Sequence, residues 1–317
     1  MSGTAERLVT GRFAPSPTGA LHSGSLVAAV GSFLMAKRAG GRWLVRLDDL
    51  DAPRQVPGIA DDILRTLESF GLLWDGDVAR QSLHLQEYQQ AFDELQQQGM
   101  LYPCCCSRKE LAMMSSAPAA DDGSIPYTGI CRSGLPHAAA VIRSWRLVVN
   151  DSEICFTDER SGKVCQRLDL FCGDFAVRRG TGEFTYQLAV VVDDYLAGVT
   201  QVVRGDDLLD STTRQIYLQR LLGYPQPAYC HLPLVTGPKG AKLSKRDHLV
   251  SFQLAAVSAR KEALLLEVLR FLGLNPPAEL AQVSCPEILA WGIVNFAPEQ
   301  MPRHSRELTV NDYARGR

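Results

Sequence analysis

Apolar positions open the chain in short runs and then settle into helical spacing. Arg7–Ala14 interleaves apolar and polar residues as a strand does, and Pro15–Gly19 breaks it. Residues 22–39, rich in Ala, Leu, Val and Ser, read as a helix ended by Gly40 and Gly41. Trp43–Leu47 reads as a buried strand. Ile59–Phe70 and Leu83–Gln98 space their apolar residues as helices do. A β-α-β opening of this kind argues for a parallel sheet with crossover helices.

Residues 100–172 break the pattern. They hold a cysteine cluster, then the small and polar stretch Ser115–Gly123, then strand candidates at Arg143–Val149 and Ile154–Asp158. They are expected to form an insertion that interrupts the sheet. The α/β pattern resumes with Phe184–Asp193, Val199–Arg204 and the helical Thr212–Leu222. Lys261–Leu272 and Pro286–Phe296 read as closing helices. The expected division is 1–99 and 173–250 as two halves of one nucleotide-binding domain, 100–172 as the insertion, and 251–317 as a short helical end. No internal repeat is visible.

Composition narrows the function classes. With 317 residues, 46% hydrophobic and 21% charged, the chain can bury a full core. A net charge of −2 excludes a strong overall basic field, so any RNA contact must use a local patch. Arg303, Arg306, Arg315 and Arg317 make the end mildly basic, and read as a solvated, frayed tail. No apolar run has membrane-spanning length, and the N-terminus has no apolar signal core. With nine cysteines and no such signal, reduced thiols or metal ligands are expected rather than disulfides, in the cytoplasm.

Two segments carry candidate chemistry. In the first, a strand runs through Pro15–Gly19 into the helix that starts near His22, Gly24 and Ser25. Such a turn aims backbone N–H groups and a helix dipole at a phosphate. His22 can donate to phosphate oxygens, and Gly24 lets the backbone approach a purine. In the second, Lys242, Leu243, Ser244, Lys245 and Arg246 follow the flexible Gly237–Gly240 stretch. A mobile Lys245 can meet the charge that develops on a leaving pyrophosphate. Three cysteines, Cys104, Cys106 and Cys131, suit tetrahedral zinc. Spacing leaves the fourth ligand open between Cys105, His137 and water. Cys155, Cys165, Cys172, Cys230 and Cys285 read as core thiols. Asp48, Asp49 and Asp51 read either as a weak divalent-metal site or as a solvated acidic strand end.

The string from Gly11 to Gly24 resembles the opening of the glutamyl- and glutaminyl-tRNA synthetases, class I aminoacyl-tRNA synthetases. There the HIGH signature corresponds to His22, Ser23, Gly24 and Ser25, with serine in place of the second histidine. Lys242–Arg246 resembles the KMSKS loop of the same family. The resemblance implies a Rossmann-like α/β catalytic domain with an inserted zinc-containing acceptor-type subdomain. It implies that His22 and Lys245 are catalytic, and that His22, Gly24, Ser25, Lys242, Ser244 and Lys245 bind ATP with Mg2+. It places glutamate against Arg12, Phe13, Ala14, Pro15, Ser16, Asp48, Tyr186 and Arg204, with Asp48 where the family has Glu. Two arginines favour an anionic side chain, hence glutamate over glutamine.

The pattern Cys-x-Cys with Tyr127 and Cys131 is similar to the short paralogues of that family, the glutamyl-Q tRNA(Asp) synthetases. Some of these hold structural zinc with the equivalents of Cys104, Cys106, Tyr127 and Cys131. The chain ends soon after the second motif, so no anticodon-binding domain is expected. The implied activity is tRNA-independent activation of glutamate and its transfer to queuosine in the anticodon loop of tRNA(Asp), by a monomer. The rivals are a conventional glutamyl-tRNA synthetase and a non-catalytic paralogue that binds RNA or protein.

Overall fold

The computed structural model describes residues 8–114, 126–137, 140–150, 153–236 and 261–308. Strand β1 (Thr10–Phe13) leads into helix α1 (Ser23–Arg38), and β2 (Arg42–Leu47) follows. Next come α2 (Ile59–Ser69), β3 (Ala79–Arg80), α3 (Leu85–Gln97), β4 (Leu101–Cys104) and α4 (Arg108–Met114). The middle holds β5 (Ser144–Leu147), β6 (Glu153–Asp158), β7 (Gly162–Arg167), α5 (Leu168–Phe171) and β8 (Phe175–Arg179). Then come α6 (Tyr186–Leu196), β9 (Gln201–Gly205), α7 (Leu209–Leu221), β10 (Ala228–Leu232) and β11 (Val235–Thr236). Helices Lys261–Phe271 and Cys285–Asn295 and strand β12 (Arg306–Glu307) close the described chain.

Seven strands form one sheet in the order β3-β2-β1-β9-β10-β6-β7. Every pairing is parallel except the β6–β7 hairpin. The strand order reverses between β1 and β9, and a parallel sheet opens a crevice at the carboxyl ends of its strands at such a point.

Each face of the sheet has its own core. On one face, Phe13, Trp43, Val45, Val203, Cys230 and Leu232 pack with α1 and the two C-terminal helices. Helix α1 is buried almost all round from Leu26 to Ala36, because it lies between the sheet and those helices. On the other face, Val202 and Tyr229 pack with α3, α6 and α7.

Sheet pairing does not follow the expected 100–172 insertion. Strands β4, β5 and β8 form a separate antiparallel sheet, but β6 and β7 extend the main one. Its edge strand β7 alternates half-buried and exposed positions and so carries a weak apolar signal. Phe184–Asp193 resolves into helix α6, whose run Leu188–Val192 is wholly buried. Tertiary burial overrides the strand preference of three consecutive valines there.

Two further expectations are corrected. Cys155 is half-buried and Cys165 exposed; they face each other across β6 and β7 and are disulfide-bonded. The register puts them directly opposite, which linear spacing could not show. Arg306 is no frayed residue: it lies in β12, paired with β11, and donates to the carbonyls of Arg270 and Phe271. Arg315 and Arg317 lie outside the described residues.

Leu269 is fully buried in the core that it shares with α1. Leu269→Ala is expected to cost about 2–5 kcal/mol. Chemical denaturation should still show one transition, because the C-terminal helices and the sheet share that core.

Candidate active site

Side chains alternate across a strand, and register carries that alternation to the next strand. Arg12 lies level with Leu44, and Gly11 with Gln201. Arg12, Arg46, Asp48 and Arg204 therefore share the face that meets α6 and α7. Phe13 points the other way, into the core against Trp43. Its side chain cannot line the crevice, so a substrate contact there is left to its backbone. Ala14 is half-buried, Pro15 buried and Ser16 exposed at the mouth, and Pro15 O accepts from Asp48 N at 2.9 Å.

The last turn of α6 brings two carboxylates to the arginines. Arg12 donates from Nε and Nη2 to Asp194, at 3.1 and 3.2 Å. Arg46 donates Nη1 to Asp194 at 2.6 Å and Nε to Asp48 at 2.7 Å, and lies 3.5 Å from Asp193. Its buried Nη2 has no partner among the described residues. Asp193 also accepts from Gln81 and Tyr88 and meets His84, each at 2.8 Å.

Burial opposes the Arg46 charge, but Asp48, Asp194 and Asp193 outweigh it and hold the guanidinium protonated. Burial pushes Asp194 up, and two guanidiniums more than offset that, so it lies low. Asp48 is buried too but has Arg46 as its main cation, and its carboxyl is raised to about 6. Two guanidiniums thus face three carboxylates, and Asp48 is the least compensated.

Arg204 is held on several sides. Nε donates to His231 Nε2 at 3.2 Å, Nη2 to Thr212 Oγ1 at 2.7 Å, and Nη1 to the Tyr186 hydroxyl at 3.5 Å. Tyr186 starts α6 and is partly exposed.

At the first motif, His22 is the N-cap of α1, and its Nδ1 accepts from Ser25 N at 3.3 Å. In the neutral ring the proton then sits on Nε2, which makes that atom a donor. Gly24 leaves room for this ring. A Cβ there would stand 3.2 Å from His22 Cε1 and Nδ1. Lys242, Ser244 and Lys245 lie outside the described residues.

The small sheet carries the cysteine cluster. Cys104, Cys106 and Cys131 bring their sulfurs within 4.8 Å of one another, so they can hold a metal ion. The Tyr127 hydroxyl lies 3.5 Å from Cys104 Sγ and 3.7 Å from Cys106 Sγ, and Cys131 N donates to it at 2.9 Å. Cys105 Sγ lies 3.9 Å from Cys131 Sγ but outside the metal-capable group, and His137 is exposed and outside it too. Burial pushes the Cys106 thiol up to about 12. Burial also raises Cys131, but the Tyr127 hydroxyl and neighbouring groups bring it down to about 7.

The profile of the tRNA synthetases class I (E and Q) catalytic domain matches residues 8–290. The chain belongs to this family of class I tRNA synthetases. It is similar to glutamyl-Q tRNA(Asp) synthetases of Geobacter sulfurreducens and Dechloromonas aromatica. The first is 56% identical over 93% of this chain and 94% of that protein, the second 51% over 93% and 96%. Among solved structures it is similar to a glutamate tRNA ligase from Elizabethkingia meningosepticum in complex with its amino acid. That match has a TM-score of 0.76 and 27% identity, and covers 94% of this chain and 66% of the other.

As a class I synthetase of the E and Q type, the protein is a ligase. The fold gathers Arg12, Asp48, Tyr186 and Arg204 at the sheet's carboxyl edge, with His22 at the adjoining helix start. Asp48, Asp49 and Asp51 form neither a metal site nor a solvated end among the described residues. Asp48 pairs with Arg46, Asp49 accepts from Ser82 at 2.8 Å, and Asp51 pairs with Arg54. Arg46, Asp158, Asp193, Asp194 and His231 escaped the sequence reading. Their signal was present, since charged residues inside otherwise apolar strands and helices must find partners. Among the described residues, no helix of the synthetase is long and apolar enough to cross a membrane.

Gly173 has φ +59° and bridges to Tyr127, and a Cβ there would run into the Tyr127 carbonyl oxygen. Gly173→Ala is expected to cost more than about 2 kcal/mol. It should also speed the reaction of Cys104, Cys106 and Cys131 with a thiol reagent, followed alongside thermal unfolding.

Proposed function

We propose that this synthetase activates L-glutamate with ATP, without tRNA, and transfers it to queuosine in the anticodon loop of a tRNA(Asp). The observation that carries this reading is 56% identity to a glutamyl-Q tRNA(Asp) synthetase along 94% of that relative's length. The geometry supports glutamate as the amino acid. Arg12 and Arg204 supply cationic groups for the side-chain carboxylate, and Tyr186 braces Arg204. The excess of carboxylates beside Arg46 calls for one more cation, and the substrate ammonium at Asp48 supplies it.

In the first step the α-carboxylate of glutamate attacks the α-phosphorus of ATP. A P–O bond forms, the bond to pyrophosphate breaks, and glutamyl-adenylate results. His22 donates through Nε2 to phosphate oxygens at the N-terminus of α1, close to Gly24 and Ser25. Lys245, with Lys242 and Ser244, meets the charge on the leaving pyrophosphate, and Mg2+ accompanies ATP as in the family. In the second step a queuosine hydroxyl attacks the adenylate carbonyl. An ester forms, AMP leaves, and the hydroxyl proton is released. These steps need positioning and preorganised charge rather than a covalent enzyme intermediate. We place the reaction in the cytoplasm and assign it to a monomer.

The cysteine cluster fits zinc. Tetrahedral bonds of about 2.3 Å to sulfur and about 2.0 Å to oxygen put sulfurs about 3.8 Å apart, and sulfur and oxygen about 3.5 Å apart. Cys106 and Cys131 sulfurs are 3.6 Å apart, and Tyr127 Oη is 3.5 and 3.7 Å from Cys104 and Cys106. Zinc would there tie the Tyr127–Cys131 loop to β4, a structural role.

The deciding test is exchange of labelled pyrophosphate into ATP. Exchange with glutamate, but not glutamine or aspartate, is expected with no tRNA present. A requirement for tRNA(Glu) would favour the conventional synthetase, and silence under both conditions the non-catalytic paralogue. A second test uses Asp48, whose charge is present above pH 6 and lost below it. In the free protein this gives kcat/KM for glutamate an acidic limb near pH 6. Asp48→Asn should remove that limb and lower kcat/KM at neutral pH by about 10–100-fold.

A further inference from the structure

We infer that Asp158 and His231 are positioning residues for glutamate recognition: Asp158 fixes the His231 tautomer that lets His231 accept a hydrogen bond from Arg204. The inference rests on the glutamate pocket proposed above and adds to it two residues, from β6 and β10, that belong to neither motif in sequence.

Two groups reach His231 Nε2: Arg204 Nε at 3.2 Å and the Thr212 hydroxyl at 3.0 Å, which can donate or accept. A guanidinium N–H can only donate, so to Arg204 Nε, 3.2 Å away, His231 Nε2 is the acceptor. The proton of the neutral ring therefore lies on Nδ1, which donates to Asp158 Oδ2 at 2.7 Å. Asp158 has no other arrangement open to it. Its Oδ2 also accepts from His231 N at 2.9 Å, and Oδ1 accepts from Arg160 N and Ser161 N at 3.1 and 2.8 Å. Burial pushes the Asp158 carboxyl up, but the His231 hydrogen bond and the Ser161 and Arg160 N–H groups outweigh it and keep it ionised and acceptor-only. Burial disfavours charge on His231 and holds it neutral. His231 is fully buried and Asp158 1% exposed, so water cannot replace either partner.

The chain of constraints ends at the pocket. Arg204 spends Nε on His231 and Nη2 on Thr212 and the Leu208 carbonyl. Its Nη1 edge is the one that meets Tyr186. The opposite tautomer would set an Nε2–H against the Arg204 Nε–H. Two donors would then face each other at hydrogen-bond distance, and the guanidinium would have to turn.

The test is glutamate-dependent pyrophosphate exchange by the full chain, with glutamate titrated at saturating ATP. Asp158→Asn is isosteric, but its amide must face a donor with a donor, either at His231 or at the turn. It is expected to raise KM for glutamate at least about tenfold, with KM for ATP within about twofold. His231→Gln keeps an acceptor for Arg204 without needing a tautomer, and should raise KM for glutamate by less than Asp158→Asn does. The double variant should be no worse than His231→Gln alone, because Asp158 acts through the ring.

Unchanged glutamate KM in a folded Asp158→Asn protein, or a penalty that adds fully to that of His231→Gln, would overturn the inference while leaving the activity standing. If Asp158→Asn fails to fold, His231→Phe replaces it, with raised glutamate KM expected and unchanged KM overturning the idea. A wild-type chain that shows no exchange with glutamate overturns the proposed function and this inference with it.

Discussion

Charges taken out of water must find opposite charges, and the layer between the sheet and α6 is built on that requirement. Arg12 and Arg46 leave β1 and β2 on the same face, and Asp193 and Asp194 close α6 above them. Removing one member of such a buried set typically costs about 3–5 kcal/mol, because its partners stay charged and unpaired. The set fixes the height and rotation of α6 over the strands. Tyr186, at the other end of the same helix, then reaches Arg204. Asp193 passes the constraint on through Gln81, His84 and Tyr88, and so fixes the start of α3.

The opening β-α-β unit was legible because each element there keeps one periodicity. Elements buried on both sides, or on neither, were not. Helix α6 has no polar face to mark its period. Strand β7 lies at the sheet edge with no position fully buried, and β10 places a histidine where an apolar residue would be expected. The segment between the two halves was visible as a change of texture. Its partition between two sheets was not, because pairing joins residues that are distant in sequence.

The site divides along the same line. Arg12, Asp48, Tyr186 and Arg204 could be picked out because they sit in strings that resemble a known family. The Cys104, Cys106, Tyr127 and Cys131 group could be picked out because donor spacing is local. Arg46, Asp194, Asp158 and His231 belong to no local string. Their meaning is wholly relational, since a buried histidine is informative only when its two nitrogens have known partners. Two acids directly after Val190, Val191 and Val192, and arginines inside apolar strands, were the available clue.

The strand order also shapes how the chain leaves the ribosome. Strands β9 and β10 sit in the middle of the main sheet yet are among the last to be made, and the Thr10–Thr200 contact spans 190 residues. At about 5–20 residues per second, β1 waits roughly 10–40 s for its second neighbour. During that time β1 and β6 each present an open edge with unpaired N–H and C=O groups, the kind of template on which chains aggregate. The synthesis of Gln201–Leu232 therefore closes two exposed edges at once, and with them the crevice.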